Sequence, residues 1–301
     1  MVARRVLLTC VVLSCFSVFA SAEKLRVAVA ANFAKPVEKL LHEFAKTHPH
    51  SAQISQASTG VLYQQIRHGA PFDILLAADI RRPQLLEEQG LIYENYRKTY
   101  AIGQLALWSA ISDDEISLQD LNDYTGRVAL AGPHIAPYGL AAKQTLISLE
   151  LWSKYDDNLI VGNNINQTYQ QIVTGAVNYG FISYSQLLES KTGHGVLIDS
   201  DLHKPLEQQM VVLKHSENTE LAIQFFEFLL TDKAQQLIVE TGYQQAHKTL
   251  EKVAPAETPV APKKQKAIQP EAKQVATAGL NSSTDYLADE TKVTGSQIGK
   301  L

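Results

Sequence analysis

Three loops of this chain carry neutral hydrogen-bond donors where a predicted strand gives way to a predicted helix. Asn32 follows an apolar strand pattern, Ser58 and Thr59 precede a helical pattern, and Tyr138 lies at the start of another. The first N–H groups of a helix have no intrahelical acceptor and carry a partial positive charge, so each loop is a potential anion site. If the three loops meet in one cleft, they form an anion cage.

Several polar residues of these loops, and of a further loop at 163–166, also have ordinary structural explanations. Ser58 belongs to the residue types that commonly cap a helix. The Tyr138 ring can pack in a core, and the asparagines at 163, 164 and 166 are typical of turns. The same neutral donor chemistry in three separate strand-to-helix loops favours a binding site over these alternatives.

The common motifs of enzymes and metal sites are missing from the sequence. There is no phosphate-binding P-loop, no His-Glu-x-x-His helix and no Gly-x-Ser-x-Gly elbow. His48 and His50 form the closest pair of histidines, but two ligands do not complete a metal site. We therefore expect no catalytic residue, no free metal cation and no cofactor. An envelope enzyme is the alternative, and it requires a nucleophile and a base that converge in the cleft.

Composition and charge narrow the class of protein. The chain has 301 residues and is 45% hydrophobic, which is enough to fill the cores of two lobes. Its formal net charge is −4, so it has no basic excess with which to neutralise nucleic-acid phosphates. We therefore exclude nucleic acid as a partner. A bound anion must be held by local geometry and not by bulk charge.

The first 22 residues have the pattern of a secretory signal peptide. Two arginines precede an apolar stretch at 6–19, and the tripeptide 20–22 fits a small-residue cleavage site. Both cysteines, Cys10 and Cys15, lie in this leader, so we expect neither a disulfide nor a thiolate site in the mature protein. A membrane anchor and lipidation at Cys15 are the alternatives, although the apolar stretch is short for a membrane span. We predict export to the periplasm, with cleavage near Ala22.

Strand and helix patterns alternate along most of the mature chain. This alternation predicts an α/β fold with mainly parallel sheets flanked by helices. One set of units covers about 25–79 and a second covers about 118–182, and β-rich stretches at 100–109 and 208–213 connect them. Two crossovers between two α/β lobes are typical of a clamshell that closes by a hinge motion.

The crossovers also predict the domain boundaries. We expect residues 23–103 together with 205–246 to form lobe 1, and residues 104–204 to form lobe 2. From 247 to 301 the composition changes to a low-complexity mixture with few bulky apolar residues, which predicts a disordered tail. The alternative is a sensor or scaffold whose tail, and not its cleft, is the working part.

Three local predictions concern the bounds of single elements. The apolar spacing predicts a helix over 37–47 and another over 167–174. The glycines around His194 predict a loop at 192–195.

Five motifs, in their order and spacing, resemble the periplasmic molybdate-binding protein of ABC-type importers. They are Val29-Ala-Ala-Asn-Phe33, Ser58-Thr-Gly60, Gly69-Ala-Pro-Phe-Asp73 with Ala77-Ala-Asp79, Tyr100-Ala-Ile-Gly-Gln-Leu-Ala-Leu-Trp-Ser109 and Ile135-Ala-Pro-Tyr-Gly-Leu-Ala141. The resemblance runs from about Lys24 to Tyr243. It implies a two-lobed solute-binding protein of type II with its ligand, molybdate or tungstate, in the interlobe cleft. It also implies an ABC-type permease at the inner membrane as the partner, and we expect a monomer.

The ligand positions of the resembling family carry over to seven residues of this chain: Ala31, Asn32, Ser58, Thr59, Tyr138, Ile165 and Ser183. The resemblance implies a tetrahedral dianion held by backbone N–H groups and neutral side chains. Tyr138 falls where some relatives use a tyrosine hydroxyl and others a backbone N–H, and Ile165 is expected to contribute its backbone N–H. At Ser183 some relatives have a ligand tyrosine, whereas the tyrosine here is Tyr184. Since neighbouring strand residues face opposite sides, we expect Tyr138 and not Tyr184 to supply the phenol.

Neutral donors favour an oxyanion that carries no proton. Molybdate, tungstate and sulfate need only donors at neutral pH, whereas phosphate keeps a proton and needs an acceptor. Asp73 and Asp79 are the nearest acceptors in the sequence, and Asp79 precedes a helix that it can cap. Sulfate and phosphate are the alternative ligands. Discrimination against sulfate must come from the size of the cage, because the donors serve both ions equally.

Overall fold

The computed structural model of the protein describes residues 24–246. The strands in this range are β1 (Lys24–Ala30), β2 (Ser51–Ala57), β3 (Ile74–Leu76), β4 (Ile92–Gly103), β5 (Leu105–Ser109), β6 (Val128–Ala131), β7 (Leu159–Gly162), β8 (Tyr179–Ser183), β9 (His194–Leu197), β10 (Leu206–Leu213) and β11 (Gln244–Gln245). The α-helices are α1 (Ala34–Phe44), α2 (Thr59–Arg67), α3 (Arg81–Glu88), α4 (Asp120–Asp123), α5 (Pro137–Ser148), α6 (Trp152–Tyr155), α7 (Ile165–Val173), α8 (Tyr184–Glu189), α9 (Thr219–Leu229) and α10 (Asp232–Glu240). The predicted signal peptide and tail lie outside the described residues.

The first sheet has six strands in the order β11-β4-β10-β3-β1-β2. β1 pairs in parallel with β2 and β3, whereas β10 runs antiparallel between β3 and β4. The sheet is therefore mixed, with its parallel pairs confined to three strands. β1 is apolar because both of its faces are covered, by α1, α9 and α10 on one side and by α2 and α3 on the other. Ala30 lies opposite Ala57, so the loops after β1 and β2 begin side by side.

The second sheet has five strands in the order β7-β6-β8-β5-β9. β6 pairs in parallel with β7 and β8, and β5 runs antiparallel to β8 and β9. Leu130 and Phe181 pack with α5 on one face, and Trp108 packs with α7 on the other. Ala131 lies opposite Gly162, so the loops after β6 and β7 also begin side by side.

The first crossover between the two sheets is one residue long. β4 ends at Gly103 in the first sheet and β5 begins at Leu105 in the second, so only Gln104 separates them. The β-rich stretch 100–109 is therefore two strands in different sheets. The chain returns to the first sheet with β10, as the apolar pattern at 208–213 predicts.

Two of the predicted helices begin earlier than their apolar spacing indicates. α1 begins at Ala34 and not at residue 37, because Pro36 lies in the first turn, where its missing N–H is not needed. α7 begins at Ile165 and not at Gln167. The side chain of Asn164 caps this helix, accepting hydrogen bonds from the N–H groups of Asn166 and Gln167 at 3.0 Å each.

The loop predicted at 192–195 is wrong in its second half. β9 begins at His194 and pairs with β5, with Gly195 opposite Trp108. A Cβ at Gly195 would stand 2.5 Å from the side chain of Leu187 and 3.0 Å from the carbonyl oxygen of Leu107. The glycine therefore permits a close strand contact that its turn propensity does not predict.

The helices described within 24–246 include none with the length and apolar content needed to cross a membrane.

Glu43 in α1 forms ion pairs with Lys46, two residues beyond the end of that helix, and with Lys233 in α10. Hydrogen bonds from these two lysines lower the pKa of Glu43 from 4.5 to about 2. A carboxylate with a depressed folded-state pKa adds stability above its unfolded pKa and loses it as the pH falls through the folded value. We expect Glu43→Gln to lower the thermal midpoint slightly at pH 7, with a difference that shrinks between about pH 4.5 and about pH 2.

Thermal unfolding measured across that pH range checks this expectation. Glu227→Gln is the control, because it makes the same charge change at an exposed glutamate of α9. A pH-independent difference, or an equal effect of the control, would show that the two lysines do not stabilise the folded state through Glu43.

Candidate functional site

A small cavity lies where the loops after β1, β2, β6 and β7 meet. The residues that line it are Ala30, Ala31, Asn32, Ser58, Thr59, Ala78, Ala136, Pro137, Tyr138, Asn164 and Ile165. All of these side chains are formally neutral. Of the seven predicted ligand positions, six line this cavity and Ser183 does not.

Three helix N-termini at the cavity have no side-chain cap. The N-cap residues are Ala30 for the short 3-10 turn Ala31–Phe33 that precedes α1, Ser58 for α2 and Ala136 for α5, and none of them makes a side-chain hydrogen bond to its helix. The first N–H groups of each element have no acceptor within that element, and the N-terminal ends of α2 and α5 carry partial positive charge beside the cavity. This arrangement favours a negatively charged ligand.

The fourth helix at the cavity, α7, is capped differently. Asn164 occupies the N–H groups of Asn166 and Gln167, so the remaining first-turn donor is the N–H of Ile165. Ile165 is 4% exposed and lines the cavity with Asn164. This placement is compatible with the backbone contribution expected from Ile165.

Ser58 has a buried hydroxyl without a partner. The residue is 4% exposed, and its Oγ makes no hydrogen bond within the described part of the chain. A buried unpaired hydroxyl is costly, so such a group calls for an explanation. Thr59, which is fully buried, accepts a hydrogen bond from the N–H of Ala78 at 3.0 Å and keeps its own hydroxyl hydrogen to donate. Both hydroxyls can therefore act as donors to a ligand.

Asn32 uses its side-chain donors within the protein. Its Nδ2 donates to Gln208 Oε1 at 3.0 Å and to the Tyr243 hydroxyl at 3.2 Å. Asn32 is 5% exposed and lies in the short 3-10 turn Ala31–Phe33, directly before α1. In this arrangement its backbone N–H, and not its amide group, is the donor that it offers to the cavity.

Tyr138 lines the cavity, but its hydroxyl is bonded to a residue that sequence analysis missed. The phenol oxygen accepts a hydrogen bond from Gln208 Nε2 at 3.1 Å. A Cβ placed on Gly103 would clash with this hydroxyl, so the phenol packs against the crossover between the sheets. Burial raises the pKa of the Tyr138 phenol well above its usual value, so it stays protonated. That this phenol also serves the ligand stays a prediction.

Gln208 itself is fully buried in β10. The one signal in the sequence is a pair of glutamines, Gln208 and Gln209, at the head of an apolar strand. A buried amide in such a strand must find partners. The sequence does not show which partners they are.

Ser183 is engaged elsewhere and lies outside the cavity lining. It caps α8, where its Oγ accepts from the N–H of Gln186 at 3.3 Å and donates to Gln186 Oε1 at 3.1 Å. Gln186 Oε1 also accepts from the N–H of Ser183, which completes a capping box. Tyr184 is the first residue of α8.

The acidic residues considered as acceptors are also occupied. Asp73 is fully buried and accepts from the N–H of Arg26 at 2.7 Å and from Ser216 Oγ at 2.9 Å. Asp79 accepts from the N–H of Arg82 at 3.0 Å, which confirms its capping role at α3. Neither aspartate lines the cavity.

The rings of His48 and His50 make contacts with neighbouring residues. The His48 ring stacks on Phe44 with centroids 4.4 Å apart, and His50 Nδ1 contacts the carbonyl oxygen of His48. Within residues 24–246, no group of three or more His, Cys, Asp or Glu side chains is placed to hold a metal ion.

Direct contacts hold the two sides of the cleft together. The N–H of Gly60 donates to the carbonyl oxygen of Ile135 at 2.9 Å, and Arg82 donates to the carbonyl oxygen of His134 at 2.7 Å. On another part of the cleft, Lys35 pairs with Glu189 at 2.6 Å. These bonds join residues flanking the first sheet to residues flanking the second, so the cleft is closed in this structure.

Two α/β lobes, two crossovers and a closed neutral cavity between them are the plan of a two-lobed solute-binding protein with its ligand in the cleft. The chain belongs to the family of bacterial extracellular solute-binding proteins, whose family model matches residues 25–244.

Individual relatives agree with this assignment. The molybdate-binding protein ModA of Azotobacter vinelandii is 36% identical over 230 residues, which cover 74% of this chain and 91% of that protein. The ModA of Rhodobacter capsulatus is 34% identical over 228 residues, with 74% and 89% covered. The solved structure of the periplasmic molybdate-binding protein of Azotobacter vinelandii matches with a TM-score of 0.71 at 33% identity, covering 74% of this chain and all of that one. The resemblance drawn from the motifs is confirmed.

Proposed function

We propose that the protein binds molybdate, and also tungstate, in the cell envelope and delivers it to an ABC-type permease of the inner membrane. One observation carries the proposal: among residues 24–246 the buried Ser58 hydroxyl has no hydrogen-bond partner, and the described residues that line its cavity are all neutral. The N-termini of α2, α5 and the 3-10 turn Ala31–Phe33 lie at the same cavity without side-chain caps. The relatives named as molybdate-binding proteins support the choice of ligand.

The cavity can hold a dianion without a counter-cation. Within each lobe, the helix N-terminal N–H groups and the hydroxyls are fixed by the fold before the ligand arrives, so the main reorganisation on binding is the closure of the lobes. Closing the lobes removes water, and hydrogen bonds to a charged acceptor are stronger in the lower dielectric that results.

The lining favours a deprotonated oxyanion over phosphate. The proton of phosphate requires an acceptor, and no carboxylate lines the cavity. Sulfate needs the same donors as molybdate but is the smaller ion, so we propose that a cavity sized for molybdate leaves sulfate with longer and weaker hydrogen bonds.

We propose that the mature protein is a periplasmic monomer, released by cleavage near Ala22, that binds its ligand and catalyses no reaction. The bacterial extracellular family supports export. We also propose residues 23–103 with 205–246 as lobe 1 and 104–204 as lobe 2. The strand bounds support this division, because β4 and β5 lie in different sheets on either side of Gln104.

Isothermal titration of the purified protein without its signal peptide tests the proposal. Molybdate, tungstate, sulfate and phosphate are titrated in parallel. We expect tight binding of molybdate and tungstate and little response to the other two. Preferential binding of sulfate or phosphate would leave the fold unchanged but reject the ligand, and binding of none of the four would reject oxyanion transport.

Tyr138→Phe is expected to weaken molybdate binding by about 1–2 kcal/mol, because it leaves a buried donor without its acceptor. The phenol oxygen is the acceptor for Gln208 Nε2, and the lost hydroxyl is also the donor predicted for the ligand. Titration with molybdate measures the loss.

Tyr155→Phe is the matched control, since Tyr155 is equally buried but donates to the carbonyl oxygen of Leu121, away from the cavity. We expect the control to change stability and leave affinity unchanged. Equal affinities of Tyr138→Phe and the wild type for molybdate would show that the Tyr138 hydroxyl does not contribute to ligand binding.

A further inference from the structure

Gln208 occupies a position where an amide side chain is unusual. It lies in β10, the strand with which the chain returns from the second sheet to the first, and it is fully buried. The rest of the strand, from Met210 to Leu213, is apolar and buried. An amide in such a setting destabilises the fold unless its donors and acceptor are paired.

The amide of Gln208 makes three hydrogen bonds to three different elements. Its Oε1 accepts from Asn32 Nδ2 at 3.0 Å and from the Tyr100 hydroxyl at 3.0 Å. Its Nε2 donates to the Tyr138 hydroxyl at 3.1 Å. One side chain therefore joins the loop after β1, the strand β4 that leads into the crossover, and the helix α5 beside the second sheet.

Two neighbours restrict this network further. The Tyr243 hydroxyl accepts from Asn32 Nδ2 at 3.2 Å and donates to the Asn32 carbonyl oxygen at 2.7 Å, so Asn32 is held by both its side chain and its backbone. A Cβ on Gly103 would stand 2.6 Å from Gln208 Nε2 and would clash with the Tyr138 hydroxyl. The backbone at the end of β4 therefore packs directly against the Gln208–Tyr138 bond.

We infer that Gln208 is a positioning residue of the anion site, which holds Asn32 and Tyr138 in place on the two sides of the closed cavity without lining it. The inference rests on the proposed function, because the affinity it concerns is that for the oxyanion. Asn32 and Tyr100 belong to the same lobe as Gln208, whereas Tyr138 belongs to the other. The bond to Tyr138 is thus the one that closure forms, and Gln208 stabilises the closed form relative to the open form.

Gln208→Met keeps the size and shape of the side chain and removes all three hydrogen bonds. We expect the dissociation constant for molybdate to rise by about 10- to 100-fold, as for buried groups left unpaired. In the double variant with Tyr138→Phe, we expect the dissociation constant to rise by less than the product of the two single increases. Both substitutions remove the same interlobe hydrogen bond.

Gln208→Glu separates positioning from general stability. A protonated glutamic acid has one carbonyl acceptor and one O–H donor, which reproduce the bonds to Asn32, Tyr100 and Tyr138. An ionised carboxylate cannot donate and places a charge near the anion. Burial raises the pKa of a carboxyl group, so we expect weak binding at about pH 8 and recovery toward wild-type affinity at about pH 6. Affinity rises as the pH falls because only the protonated carboxyl group can make the hydrogen bonds that Gln208 makes in the closed structure.

Gln209→Glu is the matched control. Gln209 is the next residue of β10, and its amide bonds to Arg97 and Thr99 and not to the cavity network. We expect its affinity for molybdate to be the same at both pH values, as for the wild type. Thermal unfolding of every ligand-free variant is measured alongside, since a purely structural role would shift the midpoint and leave the affinity constant.

The outcomes distinguish the two claims. A wild-type protein that binds neither molybdate nor tungstate would overturn the proposed function and this inference with it. A wild type that binds, together with a Gln208→Met variant of equal affinity or a Gln208→Glu variant whose affinity does not change with pH, would overturn the inference and leave the function in place. If Gln208→Met fails to fold, the pH dependence of Gln208→Glu decides alone.

Discussion

Ser58→Asp is expected to abolish molybdate binding while leaving the ligand-free protein folded. Ser58 lines the cavity and is 4% exposed, so a carboxylate at this position stands close to the bound anion. Two unit charges about 4 Å apart repel by about 4 kcal/mol at an effective dielectric constant of about 20, and a dianion increases this repulsion. The affinity is therefore expected to fall by about 1,000-fold or more.

The fold is expected to tolerate this change. Ser58 is the N-cap of α2, a position at which aspartate is as favourable as serine and also interacts well with the helix dipole. The thermal midpoint without ligand should therefore be unchanged or raised. A loss of binding cannot then be attributed to unfolding.

Ser58→Asn is the control, because asparagine has the shape of aspartate, caps helices equally well and is neutral. Its affinity shows the effect of size alone, and the difference between the two variants isolates the charge. Titration with molybdate and thermal unfolding are measured on both. If the aspartate variant binds within about ten-fold of the asparagine variant, the ligand is not an anion held beside Ser58.

Gly60→Ala is expected to hold the cleft open. Gly60 lies in the first turn of α2, and its N–H donates to the carbonyl oxygen of Ile135 across the cleft at 2.9 Å. A Cβ there would stand 2.9 Å from that oxygen and 3.0 Å from the Ile135 Cα, and both atoms belong to the backbone. Relief requires the lobes to separate, so we expect affinity to fall by about 1–3 kcal/mol, the usual cost of overpacking.

The same substitution is expected to stabilise the open form. Alanine is more favourable than glycine within a helix by up to about 1 kcal/mol. The ligand-free protein should therefore unfold at the same temperature or higher, while binding weakens. Small-angle scattering with and without molybdate provides the second measurement, since the variant should compact less than the wild type when ligand is added.

A graded series strengthens the test. Gly60→Val adds a larger side chain at the same contact and should weaken binding further. Wild-type affinity and compaction in the alanine variant would show that Gly60 and Ile135 do not approach each other in the liganded protein.

The sequence alone predicted the α/β plan of the two lobes and the neutral donor residues of the loops that line the cavity. Alternation of strands and helices is a local pattern, and so is the change from an apolar strand to a helix start. For this reason the local pattern assigns Asn32, Thr59 and Tyr138 to anion-binding loops, and the fold brings them to one cavity. Ser183 was assigned through the resemblance to the family and not through this local pattern. Its side chain caps α8 by bonding Gln186, three residues on, and its role at the ligand stays a prediction.

Only the tertiary structure decided which donors are free and which are occupied. The Thr59 hydroxyl accepts from the N–H of Ala78, whereas the hydroxyl of its neighbour Ser58 has no partner in the part of the chain that the structure describes. Tyr138 and Gln208 are 70 residues apart, and Asn32 and Gln208 are 176 apart. Local periodicity carries no information about such contacts, because they depend on how the crossovers bring β10 against the cavity. The types of donor can therefore be predicted from the sequence, whereas the hydrogen bonds that orient them depend on contacts between residues far apart in the chain, both within one lobe and between the two lobes.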